Sequence, residues 1–418
     1  MKIIEVKGRR VWDSRGRPTV ETEVRLAGGA TGRAIAPAGA SRGMHEAIDL
    51  RDGGENFDGY GVDRALDNVN GLIADLLRGM DASDQEAIDL AMIDLDDTDS
   101  KSKLGGNATI ATSMAVLHAA ANASHVPLWE YLAEGRDVRI PMPEIQIFGG
   151  GAHAGGRVDI QDFMAMPIGA ESFDEGLEMI AEVYIAAGKL MDDAGKLAGV
   201  ADEGGWWPEF NTNEEALDML TRAIEAADMI PGEDVAISLD IAASEFCKDG
   251  IYRLGLEGRE FDGAGMIEML GKWIAKYPIV SIEDPLGEDD ADAFRDFTTK
   301  FGDTVQIIGD DFLVTDAERI ADAADTGICN SALIKPNQAG TITETKAALD
   351  AAKKAGWATV VSARSGETED VTIAHLAVGW DAGQLKVGSF ARSERMAKWN
   401  EVLRIEEALG DRARLAGT

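Results

Sequence analysis

The spacing of apolar residues divides the chain into two parts. Up to about residue 60, apolar and polar positions alternate, as in IIEVKGRRVWD and PTVETEVRLAGG, and the glycine-rich turn PAGASRGMHE follows these segments. Alternation of this kind predicts strands. From about 61 to 135, apolar residues recur every three or four positions, which predicts helices. Residues 1–135 are therefore predicted to form a small α+β domain.

Beyond that point, short apolar segments alternate with amphipathic stretches such as SFDEGLEMIAEVYIAAGKLMDDAG and NEEALDMLTRAIEAAD. Strands alternating with helices are typical of α/β proteins, and here they run through to the carboxyl end. We place the boundary near 136 to 142 and predict a barrel of strands and helices over residues 136–418.

Six apolar segments in the second half run directly into a charged or small polar residue. In chain order these residues are Asp240, Glu283, Asp310, Lys335, Arg364 with Ser365, and Lys386. A βα barrel gathers the carboxyl ends of its strands around one axis, so these side chains are expected to share one pocket. Taken singly, each acid is more often a helix cap or an ion-pair partner. Three acids on consecutive strands favour a functional site.

The three carboxylates have no cysteine or histidine close to them in sequence. Oxygen ligands that leave room for water and substrate oxygens suit a hard divalent cation, and Mg²⁺ above all. A lysine at a strand end ordinarily extends to solvent. Beside a bound dication in a closed pocket, however, the pKa of Lys335 or Lys386 would be lowered, which suits a base that removes a proton from carbon.

Two earlier loops offer further polar groups. The segment GVADEGGWWPEF holds Glu203 between an aspartate and two glycines, and GGGAHAGGRVDIQDFMAMP offers His153, Gln161 and Asp162. A lone histidine is more often structural, and a loop glutamate is more often solvated, but flanking glycines favour a substrate-contacting loop. With the metal and the lysine, these groups indicate a metal-assisted lyase acting on a carbon acid. The residues by themselves do not identify its substrate.

Composition narrows the class of protein. The 418 residues carry 75 acidic and 40 basic side chains, a net charge of −35, which argues against nucleic acid or anionic membrane as a partner. The two cysteines, Cys247 and Cys329, are too few for a disulfide framework. We see no secretory signal and no apolar span of membrane length, so we expect a cytoplasmic protein.

Several long segments resemble the enolase family, in family order and along nearly the whole chain. They include DSRGRPTVETEV, GASRGMHEAIDLRDGG, ADEGGWWP, LDIAASEF, SIEDPLGEDD, GDDFLVTD, LIKPNQAGT and GQLKVGSFARSERMAKWNEVLRIEE. The resemblance implies a small α+β domain followed by an eight-fold α/β barrel whose first strands and helices depart from simple alternation. It also implies Mg²⁺-dependent, reversible dehydration of 2-phosphoglycerate to phosphoenolpyruvate. Lysine or histidine bases with one or two Mg²⁺ ions are established features of enolase-superfamily sites.

Carried over by position, the resemblance implies a role for each matched residue. Lys335 matches the base at carbon 2, and Glu203 matches the acid that assists departure of the 3-hydroxyl. The remaining matches are Asp240, Glu283 and Asp310 as metal ligands, Ser41 as a lid residue completing a second Mg²⁺ site, Arg364 and Ser365 as phosphate-binding residues, Lys386 as a carboxylate-binding residue, and His153, Gln161 and Asp162 as substrate-loop residues.

The chain also departs from the family pattern. Ala363 stands where the family has histidine, Asp162 where it has glutamate, Arg42 where it has a small hydroxyl residue, and Gly149 where it has asparagine. These changes lie around the leaving hydroxyl and the lid. They keep open an enolase paralogue acting on a related phospho- or phosphono-carboxylate, such as a carboxyphosphonoenolpyruvate synthase. A non-catalytic scaffold is a third hypothesis, against which the intact Glu203 and Lys335 argue. The resemblance further implies a homodimer or a higher homo-oligomer.

Overall fold

The computed structural model of the protein describes residues 1–40 and 43–417. Its amino-terminal part is built on a three-stranded antiparallel sheet in the order β1–β2–β3. The strands are β1 (Ile3–Trp12), β2 (Pro18–Leu26) and β3 (Thr31–Ile35). Val20 and Val24 on β2 are fully buried, and the polar residues Thr19, Glu21 and Thr22 are buried as well, so both faces of this strand are largely covered.

The described residues of this part also form five α-helices. They are α1 (Asp63–Asn68), α2 (Ala74–Leu77), α3 (Gln85–Asp96), α4 (Gly106–Ala123) and α5 (Leu128–Ala133), with a π-helical turn, Val69–Ile73, between α1 and α2 and a 3₁₀ turn at Asn56–Gly59. The α4 helix packs on the sheet. A Cβ atom on Gly32 of β3 would lie 2.1 Å from the Ala115 carbonyl oxygen, so glycine is what allows this close packing.

The rest of the chain forms a closed eight-stranded barrel. Its strands are β4 (Met142–Gly149), β5 (Asp162–Met166), β6 (Ala236–Asp240), β10 (Ile279–Glu283), β11 (Gln306–Gly309), β12 (Ser331–Ile334), β13 (Ala358–Ser362) and β14 (Gly383–Gly388), in that order around the barrel. The β5 strand is antiparallel to both neighbours, and the other pairings are parallel. The expected fold class, including its irregular start, is confirmed.

Helices surround this barrel. They are α6 (Phe173–Asp193), α7 (Asn213–Ala226), α8 (Gly263–Lys276), α9 (Ala291–Phe301), α10 (Ala317–Thr326), α11 (Pro336–Ala339), α12 (Ile342–Lys354), α13 (Thr372–Gly379) and α14 (Ser393–Leu409). A small sheet of β7 (Cys247–Lys248), β8 (Ile251–Leu254) and β9 (Arg259–Phe261) lies between β6 and α8 in the chain, and 3₁₀ turns occur at Gly151–Ala154, Ala243–Glu245 and Gly410–Arg412. Side-chain caps start several helices, such as Ser172 on α6 and Thr341 on α12.

The register between neighbouring barrel strands places the polar residues at their carboxyl ends side by side. Glu283 pairs with Asp240 across β10 and β6, and Ser362 pairs with Lys386 across β13 and β14. A fully buried apolar cluster lies two residues before Asp310, Lys335 and Ser362; its members are Ile308, Leu333 and Val360.

Among the helices of residues 1–40 and 43–417, none combines the length and apolar content that crossing a bilayer requires. The division between residues 135 and 136 stays a prediction; α5 ends at Ala133, and β4 begins at Met142.

Candidate active site

The three acids predicted to bind a metal lie at the ends of three neighbouring strands. Asp240 is the last residue of β6, Glu283 is the last residue of β10, and Asp310 directly follows β11. All three side chains are buried. The barrel therefore brings together acids that are 70 residues apart in sequence, as the strand-end pattern predicts.

Lys386 on β14 contacts two of these acids. Its Nζ atom lies 2.8 Å from Asp240 Oδ2 and 2.7 Å from Glu283 Oε2. Burial lowers the pKa of Lys386, but the carboxylates of Asp240 and Glu283 raise that pKa well above its usual value. Lys386 is therefore a fixed cation at the centre of the acidic cluster.

Lys335 follows β12 and is buried beside the third acid. Its ammonium group donates a hydrogen bond to Asp310 Oδ2, and Gln338 Nε2 donates to Asp310 Oδ1 at 2.8 Å. Burial lowers the pKa of Lys335, but the carboxylates of Asp310 and Glu283 together raise that pKa above its usual value. An adjacent carboxylate favours the charged amine. The expected lowering of the lysine pKa applies to a pocket that holds a dication, so it stays a prediction.

The donor set fits a hard divalent cation. Glu283 Oε1 and Gln161 Oε1 are buried and accept no hydrogen bond from the residues that the structure describes. Gln161 Nε2 donates to Asp240 Oδ2 at 3.0 Å, which leaves the Gln161 oxygen as a free acceptor within the same cluster. Buried oxygens of this kind cost free energy unless a donor or a cation meets them. That Asp240, Glu283 and Asp310 hold such a cation stays a prediction. Among the described residues, Asp310 has a carboxylate oxygen within 4.8 Å of oxygens of Asp284 and Asp311.

Asp284 was missed by the sequence analysis. It follows Glu283 directly and adopts a φ of +41°. Its two carboxylate oxygens accept hydrogen bonds from the backbone N–H groups of Asp310, at 2.9 Å, and Asp311, at 2.8 Å. Asp284 thereby fixes the turn that carries Asp310. The signal in the sequence was the acidic pair before Pro285, which we had assigned to Glu283 alone.

His153, in one of the two segments predicted to contact substrate, contacts an acid from each segment. Its Nδ1 is 3.0 Å from Asp162 Oδ1, while its Nε2 is 3.2 Å from Ser365 Oγ and 3.7 Å from Glu203 Oε1. Burial by itself lowers the pKa of His153, but the carboxylates of Glu203 and Asp162 raise it to about 9. His153 is therefore an imidazolium that bridges both acids.

Glu203 is held in a tight turn rather than in solvent. The Ala201 N–H donates to the Gly205 carbonyl at 2.8 Å, and the Glu203 carbonyl accepts from Ser389 N–H at 2.9 Å. Gly204 has a φ of +95°, and a Cβ atom there would lie 2.4 Å from the Ala391 carbonyl oxygen, so only glycine fits. The side chain is 8% exposed, which excludes the solvated loop acid that the sequence left open.

Arg364 meets a partner from the amino-terminal part. Its Nη1 lies 3.0 Å from Glu46 Oε2 and 3.3 Å from Asn337 Oδ1. Ser365, next in the chain, contacts His153 as described above. Glu46 was also missed as a site residue, although it lies in the segment GASRGMHEAIDLRDGG that carries the family resemblance.

One cavity brings most of the expected residues together. It is lined by His153, Gln161, Asp162, Glu203, Asp240, Lys335, Ser362, Ala363, Arg364, Ser365, Lys386 and Val387. Glu283 and Asp310 adjoin it through Lys386 and Lys335. Ser41, expected at a second metal site, and Arg42, one of the departures, lie outside the described residues.

Two positions at which the chain departs from the family pattern, Ala363 and Gly149, lie in or next to this cavity. Ala363, where the family has histidine, is a wall of the cavity and presents only a methyl group to it. At Gly149, a Cβ atom would lie 2.7 Å from Ala201 Cβ and 3.0 Å from Gln146 Oε1. The absence of a side chain at Gly149 therefore leaves space that the Gln146 amide uses.

The fold and the site define a class of protein: a barrel with lysines, an arginine and a cluster of carboxylates gathered at the carboxyl ends of its strands. A family model described as the enolase C-terminal TIM barrel domain matches residues 137–418, and one described as the enolase N-terminal domain matches residues 3–132. Enolase 1 of Desulfitobacterium hafniense (strain Y51) is 51% identical over 416 residues, covering 99% of this chain and 95% of that protein. The chain belongs to the enolase family.

This relationship confirms the expected family, the enolase function and the lyase class. It does not favour the paralogue or the scaffold hypothesis. Family membership implies a divalent metal and a small phosphorylated carboxylate as substrate. The individual roles of the site residues stay predictions.

Proposed function

We propose that this protein reversibly dehydrates 2-phosphoglycerate to phosphoenolpyruvate with Mg²⁺, and that the residues named above carry the reaction. The observation that supports this most strongly is a single cavity lined by Lys335, Glu203 and Asp240. Arg364 and Lys386 line the same cavity and supply positive charge for an anionic substrate. Elimination next to a carboxylate needs a base, an acid and charge stabilisation within one site.

Different residues carry proton transfer and substrate binding in this proposal. Lys335, once deprotonated, takes the proton from carbon 2, and Glu203 delivers a proton to the departing 3-hydroxyl. Lys386 binds the substrate carboxylate, while Arg364 and Ser365 bind its phosphate. Mg²⁺ held by Asp240, Glu283 and Asp310 would offset the negative charge that grows on the carboxylate.

The remaining residues position these groups. His153 and Asp162 hold the side of the cavity that faces Glu203, and Gln161 holds Asp240 through its amide N–H. The matching family position suggests that Ser41 completes a second Mg²⁺ site on substrate binding.

A direct absorbance assay for phosphoenolpyruvate, with 2-phosphoglycerate and Mg²⁺, tests this proposal. We expect turnover that a chelator abolishes and that added Mg²⁺ restores. The Lys335→Ala variant serves as the blank. If 2-phosphoglycerate is inert while a phosphono-carboxylate is turned over, the assigned substrate is wrong.

We further propose that the protein acts in the cytoplasm as a homodimer or higher homo-oligomer, without nucleic acid or membrane partners. Support comes from the family, from the net charge of −35 and from two cysteines that are both unpaired. Sedimentation velocity should give at least twice the mass of one chain; a single monomer boundary at micromolar concentration would contradict the proposal.

A further inference from the structure

Gln146 is a buried amide that touches the acid side of the site without lining its cavity. It lies on β4 and is 1% exposed. The pairing of β4 with β5 shifts register between Gln146 and Phe148, and beyond the shift Gly149 pairs with Asp162. The irregular start of the barrel thus places the Gln146 side chain beside Asp162.

Both the oxygen and the nitrogen of the Gln146 side-chain amide form hydrogen bonds. Its Oε1 accepts a hydrogen bond from Gly205 N–H at 2.8 Å, and its Nε2 donates to Asp162 Oδ1. Because the Gly205 N–H can only donate, the amide oxygen must face Gly205 and the NH₂ group must face Asp162. The orientation of the amide is therefore set by its surroundings.

Two glycines make room for this amide. A Cβ atom on Gly205 would lie 2.5 Å from Gln146 Oε1, and one on Gly149 would lie 3.0 Å from the same atom. A side chain at Gly205 would therefore displace the amide oxygen, and one at Gly149 would make a tight contact with it.

Gln146 connects the two acids that face His153. Gly205 is two residues after Glu203 and closes its turn through the Ala201 N–H. On the other side, Asp162 Oδ1 receives both the Gln146 NH₂ group and His153 Nδ1. Two donors on one oxygen hold the carboxylate, and through it the imidazole, in a single orientation.

We propose that Gln146 is a positioning residue that aligns Glu203 and the Asp162–His153 pair for departure of the leaving hydroxyl, while leaving the Lys335 side of the site unaffected. This rests on the proposed function, in which Glu203 is the acid and Lys335 is the base. Gln146 contacts neither Lys335 nor Asp310 among the hydrogen bonds of the described residues. Its removal should therefore separate the two halves of the reaction.

The test compares Gln146→Met, which is similar in size but makes neither hydrogen bond, with Gln384→Met as a matched control. Gln384 is another barrel amide, bonded to Gln306 and Glu144 away from the cavity. In Gln146→Met we expect dehydration to fall roughly 100-fold, since misplacement by about 1 Å has effects of that size. Exchange of the carbon-2 proton should stay within about threefold of wild type. Gln384→Met should change neither rate by more than about threefold.

A second measurement does not depend on activity or on metal. Hydrogen–deuterium exchange of the peptide spanning residues 199–207 should be faster in Gln146→Met than in wild type, and unchanged in Gln384→Met, because only the former loses the Gly205 contact. Gln146→Glu keeps an acceptor for Gly205 but sets a carboxylate against Asp162. We expect it to show slow amide exchange together with impaired dehydration.

The outcomes distinguish this inference from the proposed function. If wild-type protein forms no phosphoenolpyruvate, the proposed function fails, and the amide-exchange comparison still decides whether Gln146 holds the Glu203 turn. If wild-type protein is active but Gln146→Met lowers proton exchange and dehydration equally, Gln146 is only structural. Unchanged amide exchange over residues 199–207 would also overturn the inference.

Discussion

Glu46 and Arg364 form a buried ion pair that joins the amino-terminal part of the chain to the barrel. Arg364 Nη1 lies 3.0 Å from Glu46 Oε2, Arg364 Nη2 lies 3.3 Å from Glu46 Oε1, and both side chains are less than 10% exposed. The residues are 318 positions apart in sequence. The pair therefore links the arginine proposed to bind phosphate to the amino-terminal part of the chain, which also contains Ser41.

Removing Glu46 should therefore destabilise the protein strongly. In Glu46→Ala the free energy of unfolding should fall by about 3–5 kcal/mol, because a buried guanidinium loses its carboxylate partner. Chemical denaturation measures this. Glu23→Ala, which breaks the partly exposed Arg9–Glu23 pair, should cost less than about 1 kcal/mol. Inorganic phosphate should recover stability in Glu46→Ala more than in wild type; equal effects on both would contradict the role of Arg364 as an anion site.

The division of work between base and acid predicts two different kinetic defects. Lys335→Ala should lower both carbon-2 proton exchange and dehydration by about 100- to 10,000-fold, because the base acts first. Glu203→Gln should lower dehydration to a similar degree yet leave exchange measurable by NMR in deuterated water. Lys272→Ala, on an exposed helix face, is the control. Equal loss of exchange in both site variants, with metal binding retained, would refute the assignment.

Glu144 predicts a pH dependence of stability. Burial raises the pKa of Glu144 to about 7, although Lys386 nearby opposes this. Below the ordinary pKa of about 4.5 the carboxyl group is protonated in both states and costs nothing. As the pH rises from 4.5 towards 7, the unfolded chain ionises first, so the folded state loses relative stability.

Glu144→Gln should remove this penalty. Its free energy of unfolding should exceed that of wild type by roughly 3 kcal/mol at pH 8 and equal it near pH 4. The amide can still pair with Gln384 and Ser238, which now contact the carboxyl group. Denaturation at both pH values provides the measurement, with Glu268→Gln, on an exposed pair, as control. A gain that is independent of pH would show that titration of Glu144 is not its cause.

Metal binding should stabilise the fold through the three carboxylates. Mg²⁺ at a hundredfold excess over its dissociation constant should add about 2.7 kcal/mol, visible as a rise in melting temperature that a chelator reverses. Glu283→Gln should lose most of that rise, because Glu283 supplies a buried carboxylate oxygen that has no hydrogen-bond partner among the described residues. Glu268→Gln should keep it. A full rise in Glu283→Gln would remove this residue from the metal site.

Much of this protein is determined by local sequence. The alternating segments around Val20 and Val24, and the apolar runs ending at Asp240 and Glu283, are periodic enough to predict strands, because burial of one or both faces is imposed residue by residue. The convergence of strand-end residues follows from the geometry of any βα barrel. The fold class and the gathering of Asp240, Lys335 and Lys386 could thus be predicted before any coordinates.

The charge states and the hydrogen-bond partners of these groups depend on contacts between segments that are distant in sequence. The pKa of Lys335 is raised despite burial because the Asp310 and Glu283 carboxylates lie near it, and the Asp310 contact depends on how two neighbouring strands are aligned. The pairs of Glu46 with Arg364 and of Gln146 with Gly205 join segments 318 and 59 residues apart. Periodicity reports which face of an element is buried, but not which partner meets it across the fold, so contacts of this range follow only from three-dimensional packing.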